Sequence, residues 1–323
     1  MIDQDMNEGE VMTKKIALVG GGNIGATVAH LMVQRRLGNV VIIDIAEGMT
    51  QGKALDLDQV AAIDGVDCSI EGTQDYGALE GADVVVVTAG VARKPGMSRD
   101  DLLKINSGLI KRIGQQIAGF CPKAFVVVVT NPLDAMVWLM QQSCGLPPHQ
   151  VVGMAGILDS GRFKGFLAKA LNVSVHDIQT LVLGGHGDTM VALPRYTTIS
   201  GIPLQEWMNR QKISWEQVDQ IVQRTQKGGA EIVNLLKTGS AYYGPASSIL
   251  KIVEAYLFDQ KRVLPCAAWL SGQYGVHNLY AGVPVIIGSK GVERIIELDL
   301  DETEKQQFAT SVKSVQNLID NLK

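Results

Sequence analysis

The sequence predicts an α/β protein: a Rossmann-type doubly wound parallel sheet followed by a mixed α+β half. Three observations point there. Short β-branched runs with little polar alternation recur through the first 130 residues, helical stretches lie between them, and a glycine-rich turn joins the first run to the first helix. Strands buried on both faces read in this way, and their regular alternation with helices is the pattern of a parallel sheet. The composition agrees, with 46% hydrophobic residues, 19% charged residues and 35 glycines.

In chain order, the strand-like runs are KIALV at 15–19, VVII at 40–43, DVVVVT at 83–88 and FVVVVT at 125–130. ATVAHLMVQR from Ala26 and LIKRIGQQIAG from Leu109 are the clearest helical stretches between them. After about Gly153 the character changes. LVLGGHGDTMVALP (181–194) reads as two strands around a Gly-rich turn, and VPVIIGSKGVERIIEL (283–298) as a hairpin around Gly-Ser-Lys-Gly. Helices are expected around Gln217–Leu236 and at the C-terminus. There Phe308, Val312, Val315, Ile319 and Leu322 recur at three- and four-residue steps and form one apolar stripe, expected as a packed face, with a partner-binding helix as the alternative. The expected division is therefore a flexible tail over 1–13, a dinucleotide-binding unit over 14–153 and a substrate-binding catalytic unit over 154–323.

Charge and apolar runs exclude several classes. With 29 Lys+Arg against 33 Asp+Glu, the net charge of −4 makes no case for nucleic acid. No apolar run approaches the ~18–20 residues of a membrane span. The opening MIDQDMNEGEV is acidic and polar, unlike a secretory signal, and Met12 is an alternative start. Cys68, Cys121, Cys144 and Cys266 form no CxxC pair, so reduced thiols in a cytoplasmic protein are expected, with no metal site and with a redox role as the alternative.

Gly20, Gly22 and Gly25 form G-x-G-x-x-G between the strand KIALV and a helix. In that context the first glycine permits a tight turn, the second lets the backbone approach a pyrophosphate, and the third lets helix and strand pack closely. Asp44 follows the strand VVII, 19 residues beyond Gly25, near the ~20 expected for a carboxylate on the ribose hydroxyls. Such a carboxylate repels a 2′-phosphate, so NAD is expected over NADP. Thr88 and Asn131 also stand at the carboxyl ends of strands, where ligands of open α/β sheets bind.

Groups suited to carbonyl chemistry follow. The segment AGVARKPGMSRDDLL from Ala89 carries Arg93 and Arg99 on a loop marked by Gly90, Pro95 and Gly96, which suits a lid over an anion and equally describes a solvated basic loop. LDSGR places Asp159 and Arg162 at i,i+3 on one helix face, as a surface ion pair also would be. His186 stands in GGHGD, where glycines leave room for substrate or simply make a turn. Together they supply a proton donor (His186), a carboxylate to orient its ring (Asp159), a guanidinium for a carboxylate (Arg162) and another to polarise a carbonyl (Arg99).

At this point the chain resembles the lactate/malate dehydrogenase family, and within it the malate dehydrogenases of the lactate dehydrogenase-like type. The resemblance runs over about 14–320, through GGGNIGATVA, AGVARKPGMSRDDLL, VTNPLDAM, GMAGILDSGRF, LGGHGDTMV and TGSAYYGPA. It implies reversible oxidation of malate to oxaloacetate with NAD, His186 and Asp159 as the proton-transfer pair, and Arg162 as the carboxylate clamp. It also implies Arg99 as the carbonyl-polarising residue and Asn131 as a contact of substrate and of the nicotinamide end. Ser240 falls near a substrate-pocket position. Further cofactor contacts carried over are Asn23, Ile24, Ala89, Gly90, Asn106 and Val129. A homotetramer or homodimer is implied, with a small dicarboxylate as partner.

In the family an arginine at the position of Arg93 selects a second carboxylate, where lactate enzymes carry glutamine. Pyruvate would leave that charge unpaired in a closing pocket, a cost of order 3–5 kcal/mol at full burial, or roughly 10²–10⁴ in discrimination. Lactate enzymes also usually carry an acidic residue at the position of Gly185. The neighbouring readings are another 2-hydroxy-acid dehydrogenase such as a lactate dehydrogenase, a noncatalytic NAD-binding protein and, on fold analogy alone, an NAD-requiring glycosidase.

Overall fold

The computed structural model describes residues 14–91, 99–211 and 213–322, with the side chains of 99–101 excepted. The first half builds β1 (Lys15–Val19), α1 (Asn23–Gln34), β2 (Asn39–Ile43), α2 (Met49–Asp64), β3 (Ile70–Thr73) and β4 (Val84–Val87). It continues through α3 (Arg99–Phe120), β5 (Phe125–Val128), α4 (Leu133–Cys144) and β6 (Val151–Gly153). These six strands are parallel, in the order β3-β2-β1-β4-β5-β6. Strand order reverses between β1 and β4, and the crevice beyond their carboxyl ends is where such sheets bind ligands. Every residue of β4 and β5 is at 0% exposure, which explains why these runs are apolar without alternation. Each fully buried valine contributes about 1.5–3 kcal/mol of transfer free energy before entropy.

The second half adds α5 (Gly156–Leu171), β7 (Ile178–Gln179), β8 (Val182–Leu183), β9 (Val191–Ala192), β10 (Thr198–Ile199) and β11 (Ile202–Pro203). Next come α6 (Leu204–Gln211), α7 (Trp215–Leu236), α8 (Tyr243–Leu257), β12 (Arg262–Ser271), β13 (His277–Gly288), β14 (Gly291–Ile295) and α9 (Glu302–Asp320). The two short strands around the 184–190 turn are β8 and β9, and the expected hairpin is β13–β14.

Two features exceed the sequence expectation. β12 pairs antiparallel with β6 at Ala267↔Gly153 and with β13 along its length, so the sheet runs unbroken through nine strands. Its RVLPCAAWLS does not read as a strand because of Pro265. That proline stands directly opposite Pro284, which confines the missing N–H groups to one pair of the ladder. α3 begins at Arg99, ten residues before the apolar stretch at Leu109.

α9 is fixed by a capping box. Asp301 accepts from the Glu304 amide at 2.8 Å, and Glu304 accepts from the Asp301 amide at 3.0 Å. Glu304 also pairs with Arg195 at 2.7 Å. The C-terminal stripe is a packed face: Phe308, Val315 and Ile319 are buried, with Val312 and Leu322 against them. Among the described residues no helix is long and apolar enough to cross a membrane, and the four cysteines are free thiols.

The glycine turn after β1 yields a paired prediction. A Cβ at Gly25 would sit 1.9 Å from the Gly20 carbonyl oxygen, whereas one at Gly22 would meet nothing within 4 Å. Gly25→Ala should lower the thermal midpoint by a few degrees, as overpacking by about 1–3 kcal/mol would. Gly22→Ala should leave the midpoint in place and still weaken NADH binding in a fluorescence titration. Equal midpoints for the two variants would contradict this assignment.

Candidate active site

At the cofactor end, Gly20 adopts φ +114°, a conformation that side chains disfavour, and its carbonyl accepts from the Thr88 hydroxyl at 3.0 Å. This clasp joins β1 to β4 across the switch point. Gly22 caps α1 without any side-chain bond, and Asn23 and Ile24 open the first turn. A helix N-terminus with open space over its capping glycine fits a pyrophosphate.

Asp44 directly follows β2. Its Oδ2 accepts from the Gly21 amide at 2.7 Å and its Oδ1 from the Ala46 amide at 3.1 Å. The carboxylate is therefore held beside the glycine turn, and Lys53 Nζ donates to the Gly21 carbonyl from the other side. Thr88, Ala89 and Gly90 follow β4, while Val129 and Asn131 follow β5. The Thr130 hydroxyl ties the two strand ends together by donating to the Ala89 carbonyl at 2.6 Å. Asn106 is fully buried, and its amide braces main chain. Nδ2 donates to the Val91 and Asn131 carbonyls at 3.2 and 2.7 Å, and Oδ1 accepts from the Val91 amide at 2.9 Å.

At the chemical end, α5 and the loop after β8 bring three predicted residues together. Asp159 Oδ2 lies 2.8 Å from His186 Nδ1, and Oδ1 accepts from Arg162 Nη1 at 3.1 Å. The i,i+3 pair is thus real, and it is buried rather than a surface ion pair: the side chains of Asp159 and Arg162 are 2% and 13% exposed. Bonding at Nδ1 leaves Nε2 as the ring nitrogen available to a ligand. Burial pulls the imidazole pKa down, but the Asp159 charge and hydrogen bond, with the Asp134 charge behind them, outweigh it. The net shift is upward from the ordinary histidine value.

Arg162 rests against α7, where a Cβ at Gly228 would come 3.1 Å from its Cδ. Its Nε is buried with no partner among the described residues. A guanidinium with an unused donor suits a bidentate carboxylate.

Two buried side chains that hold the histidine loop escaped the sequence reading. The His186 amide donates to Asp134 Oδ2 at 2.7 Å, and the Gly185 amide donates to Ser311 Oγ at 2.8 Å. Asp134 and Ser311 are both buried, at 4% and 0% exposure. Asp134 stands three residues after Asn131 in VTNPLDAM, a quoted motif, and its place in the first turn of α4 was the available signal. A cavity beside His186 is lined by Asn131, Asp134, Gly185 and Thr189, and closed by Ser314, Val315 and Leu318 of α9. The apolar stripe of α9 therefore packs and also walls the site.

Three predicted residues are not among those brought together here. Ser240 is half-buried in the connection between α7 and α8 and is not among the residues lining this cavity. Arg99 opens α3 as a helix residue rather than a loop residue, with its side chain outside the described residues. Arg93 and the 1–13 segment also lie outside them. Among the described residues no cluster of His, Cys, Asp or Glu could hold a metal.

Comparison with known proteins places this geometry in a family. Residues 14–153 match the lactate/malate dehydrogenase NAD-binding domain, and 157–323 match the lactate/malate dehydrogenase α/β C-terminal domain. The chain is similar to Cryptosporidium parvum malate dehydrogenase at 47% identity over 96% of this chain and 98% of that one, with a TM-score of 0.94. It is also similar to the lactate dehydrogenase of Cryptosporidium parvum, solved with lactic acid and nicotinamide adenine dinucleotide, at 42% identity over 95% and 97% of the two chains (TM-score 0.92). A third match is Eimeria maxima lactate dehydrogenase, solved with NADH and oxamate, at 44% identity over 96% and 94% (TM-score 0.93). With both halves matched, the chain belongs to the lactate/malate dehydrogenase family and is an NAD-dependent 2-hydroxy-acid dehydrogenase.

Proposed function

We propose that this dehydrogenase is specific for malate, interconverting (S)-malate and oxaloacetate. The observation that carries the reading is the arginine at position 93, where a lactate enzyme of the family would carry glutamine. Arg93 with Arg162 supplies two cations for a substrate with two carboxylates. Gly185 supports the same choice. A Cβ there would lie 2.6 Å from Val315 Cγ2 and 3.4 Å from Asp134 Oδ2, so an acidic side chain would be crowded and would face an existing carboxylate.

In this reading Arg162 binds the carboxylate next to the reacting carbon, and its unused Nε–H gains an acceptor. Such a buried, unsatisfied donor otherwise costs about 1–3 kcal/mol. Arg99 polarises the ketone oxygen. His186, protonated and held at Nδ1 by Asp159, gives its Nε2 proton to that oxygen during reduction and takes it back during oxidation. Bound NADH supplies the hydride for reduction, and NAD accepts it in the other direction.

Steady-state assays should show oxaloacetate reduction with NADH far exceeding pyruvate reduction. Arg93→Gln should move that ratio toward pyruvate by about 10²–10⁴ at full burial of the charge; an unmoved ratio removes Arg93 as the selector. Asp44→Ala should raise use of NADPH relative to NADH, and an unchanged preference would mean that the carboxylate does not read the ribose. The pH dependence follows from the ring. Its pKa is raised above the ordinary histidine value, so reduction should fall, and oxidation rise, as pH climbs through that pKa. Asp159→Asn removes the main upward influence and should move both limbs to lower pH in kcat/KM profiles. A shift to higher pH would contradict the assignment.

A further inference from the structure

Asp134 is a carboxylate that the chemistry above leaves without a task. It is 4% exposed, lies in the first turn of α4 and lines the cavity beside His186. Oδ2 accepts the His186 amide at 2.7 Å, while Oδ1 is buried with no partner among the described residues. A buried carboxylate with so few partners is costly unless its charge is used nearby. A serine or asparagine oxygen could accept the same amide with no charge at all. The charge itself therefore calls for an explanation, and the ring of the residue whose amide it holds is a cation that acts on it.

We propose that Asp134 is a positioning residue for the catalytic histidine: its carboxylate fixes the main chain at His186 and stands as a second anion, beside Asp159, that favours the protonated ring. The inference rests on the acid–base role proposed for His186.

The groups acting on this pair come from separate elements. α5 presents Asp159, which favours the imidazolium and disfavours a charge on Asp134, and Arg162, which opposes the imidazolium. The loop itself carries Asp188 two residues on. From α9 the cavity receives Ser314, Val315 and Leu318, and Ser311 holds the neighbouring amide; none of these is titratable. Burial raises the Asp134 pKa to about 6 against the lowering effect of the His186 amide and ring and of its own amide. Above that pH the carboxylate is charged, in the range where the ring must still hold its proton for reduction.

The test compares two full-length variants. Asp134→Asn keeps an oxygen for the His186 amide and removes the charge. Ser311→Ala removes the acceptor of the next amide and keeps the charge. The readout is the His186 ring pKa, followed by NMR of the imidazole protons and assigned with His186→Asn. It is paired with the pH profile of kcat/KM for reduction of whichever 2-oxo acid the enzyme prefers. Asp134→Asn should lower the ring pKa by at least about half a unit, move the alkaline limb of the rate profile down by the same amount, and leave the KM for NADH within about twofold. Ser311→Ala should leave the ring pKa in place. An unmoved ring pKa in Asp134→Asn, or an equal drop in Ser311→Ala, overturns the proposal. A ring pKa that falls while the rate profile stays still overturns instead the acid–base role of His186. If Asp134→Asn does not fold, the wild-type protein decides: the side-chain carboxyl carbon of Asp134 should titrate with an inflection shared by the His186 ring, and independent titrations overturn the coupling.

Discussion

The site depends on how one buried carboxylate divides its two oxygens. Asp159 gives one to His186 and the other to Arg162. The residue is 1% exposed, and removing one partner of a buried ion pair costs about 3–5 kcal/mol. The same carboxylate thus sets the ring tautomer, props up the imidazolium and holds the guanidinium against α7. Its position on α5 is in turn fixed by packing, because α5 lies against both β12 and α7. Chemistry and packing meet in a single side chain.

Around that carboxylate the histidine loop is held residue by residue. Gly184, at φ +83°, donates its amide to the Gly282 carbonyl of β13 at 2.8 Å. The next two amides go to Ser311 of α9 and Asp134 of α4. Three successive N–H groups are therefore pinned by three different elements. None can slide without breaking a buried hydrogen bond, and an unsatisfied buried donor is expensive. α9 holds its share of this frame because its N-terminus is locked by Asp301, Glu304 and Arg195.

Local patterns made the parallel strands and the glycine turn legible, because burial on both faces leaves a run such as VVVV with no alternation and the G-x-G-x-x-G spacing is set within one turn. Residue types suited to carbonyl chemistry were legible too, but their juxtaposition was not. His186 is 27 residues from Asp159, and no periodicity spans that gap. Spacing alone did make Asp159 and Arg162 neighbours; only the tertiary structure makes them buried ones. Asp134 and Ser311 escaped because their partners are 52 and 126 residues away. β12 escaped because Pro265 reads as a strand breaker until Pro284 is seen across from it. The long-range amide contacts that organise the site leave no mark on the one-dimensional pattern.

The seam between β6 and β12 has its own consequence. Gly153 and Ala267 face each other there, and a Cβ on Gly153 would come 2.9 Å from the Ala267 Cβ, so the strands meet through their smallest side chains. The halves share one hydrogen-bonded beam instead of two blocks joined by a tether. Severing the chain after residue 153 would strip β6 of its neighbour and leave an apolar strand with bare N–H and C=O groups at a free edge, the kind of surface that invites aggregation. Recombining either half with a foreign partner would require a new strand to cover that edge.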